Sequence, residues 1–359
     1  MPEPLKNLYN EELIDKLCQK IETAFVEFDS IRFKNTIFDE QWEQKALKQR
    51  MRHISETLYK CLPSDYETAL EILKPVSSDF SGFEYMFFPD YVELYGLDEY
   101  EASISALEYF TQFSSSEFAV RPFIKKYKQK MMAQMEIWAK STNYHVRRLA
   151  TEGSRPRLPW AMALPEFKEN PESVLKILEI LMNDKSEYVR RSVANNLNDI
   201  SKDNPQIVIK VAKSWLGKSR ETDKLIKHAC RSLLKQGQKE VLQLFGLTEA
   251  KHIQIIKFQV QESVKIGNKL AFSFSLTTEE KKLGLLRIEY AIDFVRLNGQ
   301  QSKKVFKISE SDYSIKTKKI DKYHSFKIIS TRKYYPGIHR LFVIINGKQV
   351  AETNFELCS

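Results

Sequence analysis

The sequence predicts a mostly α-helical protein with a C-terminal all-β domain: a solenoid of HEAT-like helical repeats followed by an immunoglobulin-like β-sandwich. Two observations predict it. Apolar residues recur at steps of three and four along roughly the first 250 residues, and after Leu247 apolar and polar residues alternate with a period of two. We therefore divide the chain into residues 1–100, the N-terminal helical part of the solenoid, residues 101–250, the HEAT-like repeats, and residues 251–359, the β-sandwich.

The N-terminal part is predicted to begin with helices over residues 13–28, 38–62 and 66–73, the last of them ending before Pro75. Residues 77–100 are unusually aromatic and are interrupted by glycine and proline. We interpret their rings as core packing between helices. A clamp for unstacked nucleobases is the alternative, and the acidic character of this stretch disfavours it because acids repel phosphate.

One local pattern recurs in the repeat region: small polar residues, an aromatic residue, then Val-Arg. It occupies residues 115–121, 141–148 and 186–191, and Val146 lies 43 residues before Val189. That spacing is typical of HEAT or armadillo helix pairs. Because stacked repeats place equivalent positions side by side, the arginines are predicted to form a stripe along one face. The predicted helices cover residues 102–113, part of 117–138 after Pro122, 143–151, a segment starting at Pro171, 188–197, 206–216 with Gly217 as the stop, 223–235 and 239–245.

Residues 145–157 hold the densest group of fixed cations in the chain, namely His145, Arg147, Arg148, Arg155 and Arg157. Guanidinium groups stay charged and bind two oxygens at once, which suits phosphate. Gly153 and Pro156 interrupt the helix, so the charges are expected to cover a helix end and a loop together. A solvated helix face is the other explanation of such a charge run.

Charge and composition bound the possible functions. Residues 1–100 carry a net charge of −9, residues 101–250 carry +8 and residues 251–359 carry +10, so a polyanion is expected to meet the last two-thirds of the chain. The N-terminus lacks the order of a signal peptide, and no stretch approaches the roughly 20 apolar residues of a membrane span. We therefore expect a cytoplasmic protein without a membrane partner.

The sequence contains no motif that is typical of a metal site or a bound cofactor. The four cysteines are scattered without metal-ligand spacing, so neither a zinc site nor an iron–sulfur cluster is expected, and Cys18 and Cys230 are expected to be buried. Nucleotide-binding glycine loops and the GxSxG and HExxH motifs are missing as well. We expect an enzyme or binding protein that works without a cofactor and as a monomer.

The C-terminal part is predicted to form about seven short strands. Asn346-Gly347 is a strong hairpin signal, because both residues tolerate the positive φ of a type I′ turn. Short alternating strands over residues 251–359 are typical of an immunoglobulin-like sandwich. The Cys…Trp…Cys pattern of antibody domains does not occur here.

The string HVRRLATEGSRPRLPWAMALP (residues 145–165) resembles the AlkC family of bacterial DNA alkylation-repair glycosylases, relatives of the AlkD group within a HEAT-like superfamily. The similarity extends through SSSEFAVRPFI (residues 114–124) and YVRRSVANNLNDISKDNP (residues 188–205), and covers roughly residues 100 to 240. The resemblance implies excision of alkylated, cationic bases of the 3-methyladenine type from double-stranded DNA. It also implies a C-terminal domain of the predicted kind, and nucleoid association when the protein is bound to DNA.

Cleavage of an N-glycosidic bond develops positive charge on the sugar, which a nearby carboxylate stabilises. Glu117, Asp199 and Trp160 are our candidate catalytic residues, and the resemblance favours Glu117 because the family pattern has an acid in this motif. Asp203 is a possible substitute for Asp199. The candidates for DNA backbone contacts are His145, Arg147, Arg148, Arg155, Arg157, Arg190 and Arg191.

Each candidate also has a structural explanation. Glu117 suits a helix N-terminus, Asp199 a loop after a helix, and a lone tryptophan such as Trp160 the core. A non-enzymatic HEAT-repeat scaffold that binds nucleic acid or an acidic protein is the alternative function. The lesion range, the separate roles of Glu117 and Asp199, a following lyase step and the sandwich loops that contact DNA stay open. The basic sandwich suggests DNA contacts by Lys303, Lys304, Lys316, Lys318 and Lys319.

Overall fold

The computed structural model describes residues 3–329 and 332–359, and within them an all-helical region is followed by a β-domain. The predicted fold class is confirmed, and no strand precedes Gln254 in the described part of the chain. The helices are α1 (Glu11–Ala24), α2 (Ser30–Ile37), α3 (Leu47–Cys61), α4 (Tyr66–Ser77), α5 (Phe87–Tyr95), α6 (Tyr100–Phe110), α7 (Val120–Lys126), α8 (Lys128–Trp138), α9 (Tyr144–Gly153), α10 (Pro165–Glu169), α11 (Glu172–Leu181), α12 (Glu187–Ile200), α13 (Pro205–Trp215), α14 (Arg220–Ala229), α15 (Arg231–Lys235) and α16 (Lys239–Leu244).

Two compact units make up the chain. The first runs to Val208 and resumes over Trp215–Ala229, and the second comprises Ile209–Ser214 and Cys230–Ser359. Helices α15 and α16 thus belong to the same unit as the strands. Among the helices of the described residues, none combines the length and the apolar character that a membrane span requires.

Helices α9 and α12 show why the recurring pattern forms repeats. The Asn143 side chain accepts a hydrogen bond from the backbone N–H of His145 (2.8 Å) and so begins α9. In α12, Val189, Val193 and Leu197 recur every four residues and are buried, which gives the helix one apolar face. Helix α9 ends at Gly153, where a Cβ would lie 2.6 Å from Val120 Cγ2; the close approach of two chain segments therefore requires glycine.

Several predicted helix boundaries are wrong. Helix α4 continues through Pro75 to Ser77, because Val76 and Ser77 are buried and the proline lies in the last turn. Pro122 lies in the first turn of α7, where a missing N–H costs little, and α7 and α8 are separate helices with Tyr127 between them. Cys230 likewise separates α14 from α15.

The start of the predicted second helix is also wrong, and α2 was not predicted. Trp42 belongs to a short 3-10 turn ahead of α3. The expectation for the aromatic stretch is confirmed for Phe87, Phe88 and Tyr91, which are buried among the helices, whereas Phe83 is 42% exposed. Cys18 and Cys230 are buried free thiols, as expected.

The β-domain has one more strand than predicted. The strands are β1 (Gln254–Val260), β2 (Ser263–Lys265), β3 (Lys269–Thr277), β4 (Gly284–Val295), β5 (Gln301–Tyr313), β6 (Thr317–Ser325), β7 (Gly337–Ile345) and β8 (Lys348–Cys358). A three-stranded sheet has the order β1-β3-β6 and a five-stranded sheet the order β2-β8-β7-β4-β5, and the side chains of both sheets meet in one core. The hairpin prediction is confirmed: Asn346 and Gly347 join β7 to β8 with φ values of 46° and 78°.

A buried carboxylate in the first unit leads to a prediction about pH. Asp90 of α5 lies 2.9 Å from an Arg52 nitrogen and is 3% exposed. Burial raises the pKa of Asp90 to about 6, because desolvation outweighs the attraction of Arg52. A carboxyl with a raised folded-state pKa stabilises the folded state below its unfolded pKa and loses that contribution as pH rises.

We therefore expect the wild-type unit to gain up to about 3 kcal/mol relative to the Asp90→Asn variant as pH falls from 7 to 4. All four tryptophans of the chain lie in the first unit, so denaturant unfolding followed by tryptophan fluorescence measures it. Asp98→Asn, at an exposed carboxylate, is the control. A difference between wild type and Asp90→Asn that does not change with pH would contradict the assignment.

Candidate active site

The structure brings Glu117 against Arg148, although 31 residues separate them in sequence. Glu117 lies just before α7, and its Oε2 accepts hydrogen bonds from Arg148 Nη1 (2.6 Å) and from Ser115 Oγ (2.7 Å). Each side chain of the pair is 15% exposed. Oε1 has no hydrogen-bond donor among residues 3–329 and 332–359. One carboxylate oxygen is thus anchored and the other stays available.

From Arg148 a chain of alternating charges leads into the helical unit. Arg148 Nη2 lies 3.7 Å from Glu152 Oε1, and Glu152 Oε1 accepts from Arg155 Nη1 at 2.6 Å. Arg155 Nε then donates to Asp199 Oδ2 at 2.8 Å. Glu117 and Asp199, the two candidate acids, therefore occupy the two ends of one ionic chain. Asp199 is only 2% exposed in its side chain, lies in the last turn of α12 and also contacts Lys202 (3.1 Å).

In this row of ion pairs, positive and negative side chains alternate, and the alternation determines the direction in which the pKa of each arginine is shifted. Burial by itself would lower the pKa of Arg148, but Glu117 and Glu152 outweigh it and raise the pKa above its ordinary value. The pKa of Arg155 is raised in the same way, with desolvation outweighed by Glu152 and Asp199. Both guanidinium groups are therefore held in the charged form.

The loop after α9 carries Trp160 on the surface. Its side chain is 67% exposed, so the core alternative for this residue is wrong, and its backbone has a φ of 65°. A non-glycine residue in the left-handed region persists only where its surroundings impose it. Lys48 supplies part of that constraint, since its Nζ donates to the Trp160 carbonyl (2.7 Å) and lies 4.8 Å from the centre of the Phe118 ring. Lys48 therefore links the Trp160 backbone to Phe118, the residue that follows Glu117.

Arg121 holds the same loop from inside. The residue is fully buried and donates to three backbone carbonyls, those of Met162 (2.7 Å), Gly153 (2.8 Å) and Arg155 (2.9 Å). Burial, followed by repulsion from Arg155, lowers the pKa of Arg121 to about 10. Both ends of the loop are therefore fastened to one side chain.

A cavity of about 230 Å³ opens beside the Glu117–Arg148 pair. Phe83, Phe113, His145 and Tyr188 contribute rings to its wall, together with Arg148. The Arg148 guanidinium lies 4.6 Å from the centre of the Tyr188 ring, a cation–π contact. Burial, followed by the charge of Arg148, lowers the pKa of His145, which favours its neutral form. The cavity combines aromatic faces with one cation.

Comparisons with known proteins identify the relatives of this chain. A family model described as a DNA alkylation repair enzyme matches residues 96–233, and one described as the C-terminal Ig-like domain of uncharacterised protein YhaZ matches residues 254–359. The chain is 49% identical to uncharacterized protein YhaZ of Bacillus subtilis (strain 168) over 356 residues, 99% of each chain. It is also similar to Pseudomonas fluorescens alkylpurine DNA glycosylase AlkC, solved bound to DNA containing an abasic site analog: the identity is 36%, the TM-score 0.93, and the match covers 99% of this chain and 100% of that one.

The chain belongs to the AlkC family of DNA alkylation-repair glycosylases. The resemblance seen in residues 145–165 is thereby confirmed, and the Ig-like match agrees with the β-domain of the structure.

Two of the candidate phosphate-binding arginines of this AlkC-family chain, Arg147 and Arg190, donate hydrogen bonds to backbone carbonyls. Arg147 forms two hydrogen bonds to the Asp184 carboxylate (2.6 and 3.0 Å) and donates to the carbonyls of Ser141 and Thr142. Arg190 donates in the same manner to the carbonyls five and six residues before it. The first arginine of each Val-Arg-Arg copy thus fastens the loop that enters its own helix. A DNA contact by either stays a prediction.

Two further candidate arginines of the AlkC-family chain, Arg157 and Arg191, have more exposed side chains. Arg157 forms a two-point pair with Asp203 (3.0 and 2.6 Å) and is 37% exposed in its side chain. Arg191 is 69% exposed, and Glu187 approaches it only to 3.7 Å. Arg191 therefore presents the more accessible positive charge of these two.

Four residues of this AlkC-family site were not among those predicted from the sequence: Lys48, Arg121, Glu152 and Tyr188. Glu152 and Tyr188 stand inside the strings that carry the family resemblance, where the predicted site residues are the cations, Trp160 and Asp199. Arg121 is the arginine of the first Val-Arg copy, so the repeat itself marked it. Lys48 has no sequence signal, because its partners lie far along the chain.

Proposed function

We propose that this chain is an N-glycosidic bond hydrolase that excises alkylated, cationic bases of the 3-methyladenine type from double-stranded DNA, with Glu117 stabilising the charge that develops on the sugar. One observation carries the proposal: Glu117 is anchored through Oε2 by Arg148 and Ser115, and its Oε1 has no donor among the described residues. A carboxylate fixed in this way provides a preorganised negative charge.

Besides this carboxylate, the proposed excision reaction needs a water molecule. The bond between C1′ of the deoxyribose and the base nitrogen breaks, and both bonding electrons leave with the base. Because alkylation has made the base cationic, it departs as a neutral molecule without protonation. The sugar becomes oxocarbenium-like, a water oxygen adds to C1′, and the proton lost by that water passes to Glu117. These steps balance without a metal or an organic cofactor.

Asp199 contributes indirectly in this proposal. With 2% of its side chain exposed and both oxygens bonded to cations, it holds Arg155 rather than touching the sugar. Asp203, bonded to Arg157, stays its alternative. Trp160, exposed on a constrained loop, presents an aromatic face to the lesion or its neighbour in the duplex.

The DNA backbone is bound by exposed cations, which position the duplex without specifying sequence. The side chains of Arg191 and Arg157 are exposed, and His145 lines the cavity beside Arg148. In the β-domain, Lys303 and Lys304 lie on β5, Lys318 and Lys319 on β6, and Lys316 just before β6. We propose that these lysines add to the attraction for phosphate.

The Arg191→Ala variant tests the backbone contact. We expect affinity to fall equally for damaged and undamaged DNA, and the slope of log affinity against log salt to become less steep by about 1. Fluorescence anisotropy over a salt series measures both quantities. A variant with an unchanged salt slope would contradict a phosphate contact by Arg191.

The direct test of the activity is incubation of the purified protein with methylated DNA, followed by chromatography of the released bases. Release of 3-methyladenine is the expected result. A non-enzymatic scaffold would bind the DNA and release nothing, so the same experiment separates the two functions.

A further inference from the structure

We propose that Glu152 is a positioning residue for the excision reaction: its carboxylate holds Arg148 and Arg155 together and thereby sets the places of both Glu117 and Asp199. The inference rests on the proposed function, since it concerns the same site. It gives a role to a buried acid between the two candidate acids.

Three side chains use the Glu152 carboxylate. Oε1 lies 2.6 Å from Arg155 Nη1 and 3.7 Å from Arg148 Nη2, and Oε2 accepts a hydrogen bond from Ser192 Oγ. The side chain is 7% exposed. With both oxygens occupied inside the helical unit, Glu152 cannot approach a sugar itself. It can act only through its neighbours.

Glu152 can affect both candidate acids because it lies between the two arginines that contact them. Arg148 goes on to contact Glu117 at 2.6 Å, and Arg155 goes on to contact Asp199 at 2.8 Å. Among the described residues, Glu152 is the carboxylate that pairs with both arginines. It therefore keeps two guanidinium groups near each other that would otherwise repel.

Loss of the Glu152 charge has a definite consequence for Glu117. Arg148 then keeps a single anionic partner, and repulsion from Arg155 drives it toward that partner. A guanidinium readily bonds both oxygens of one carboxylate. Glu117 Oε1, the oxygen available to the sugar, would become a second acceptor for Arg148. The reaction would be slowed although DNA still binds.

The test measures single-turnover release of 3-methyladenine from duplex DNA by wild type, Glu152→Gln, Glu117→Gln and the double variant. We expect Glu152→Gln to reduce the rate constant by about 100-fold. Affinity for a duplex with an abasic-site analogue should be unchanged. The double variant should be no slower than Glu117→Gln alone, because residues that act through one contact are not additive. Glu108→Gln, at an acid that accepts from buried Trp138 (2.8 Å), is the matched control and should keep the wild-type rate.

Independent, multiplying losses in the double variant would overturn the inference, and so would a folded Glu152→Gln protein with the wild-type rate. If that variant does not fold, Ser192→Ala replaces it, since it removes one hydrogen bond to Glu152 and keeps the charge. A loss of about tenfold with the same non-additivity is expected there. A wild-type protein that releases no base contradicts the proposed function, whereas an active wild type with independent losses contradicts only the role of Glu152.

Discussion

Glu117→Gln is expected to reduce the rate of base excision by about 10²- to 10³-fold, the largest change in activity that the site predicts. Gln keeps the shape of the side chain and an oxygen that accepts from Arg148 and Ser115, so the local geometry is preserved. What is lost is the negative charge next to the developing oxocarbenium ion. DNA affinity should therefore stay at the wild-type value.

Single-turnover release of methylated bases and anisotropy binding to the same duplex provide the two measurements. Glu166→Gln, at an exposed acid paired with Lys128, is the control for loss of a carboxylate from the same unit. Equal losses of rate and affinity in Glu117→Gln would show that this residue binds DNA rather than supporting the reaction.

Arg155→Met is expected to destabilise the helical unit by about 3–5 kcal/mol, because it leaves the buried carboxylates of Glu152 and Asp199 without their shared cation. For a unit of this size, such a loss lowers the melting temperature by roughly 10 °C. Base excision should also decline, since Asp199 and Glu152 lose their common partner.

Arg157→Met is the matched control for Arg155→Met. Its pair with Asp203 has 37% and 26% of the side chains exposed, and an exposed pair contributes about 1 kcal/mol or less. Thermal unfolding followed by tryptophan fluorescence compares the two variants. Similar melting temperatures for both would mean that the buried ionic chain does not stabilise the fold.

The fold class could be predicted from the sequence because it depends on local patterns of residues. The steps of three and four in α12 and the alternation in β4 repeat within a few residues, and Asn346-Gly347 specifies its turn by backbone preference alone. Boundaries failed where burial overrode a local rule. Pro75 does not end α4, since the residues after it are buried against other helices.

The candidate site could be predicted only in part, because its ion pairs join residues that are distant in sequence. The string 145–157 shows four arginines, and nothing in it shows that Arg147 pairs with Asp184 or that Arg157 pairs with Asp203. Cations counted without their partners overstate the charge that is free to bind phosphate. The family resemblance supplied Glu117 as a candidate, and the structure adds the contacts that anchor its Oε2.

The three carbonyl contacts of Arg121 bear on how the protein meets its substrate. They hold the loop that carries Trp160 in one conformation before any DNA arrives. The conformational entropy of that loop is consequently lost during folding and adds no unfavourable term to association. Binding of damaged DNA is then expected to need no separate step in which this loop becomes ordered.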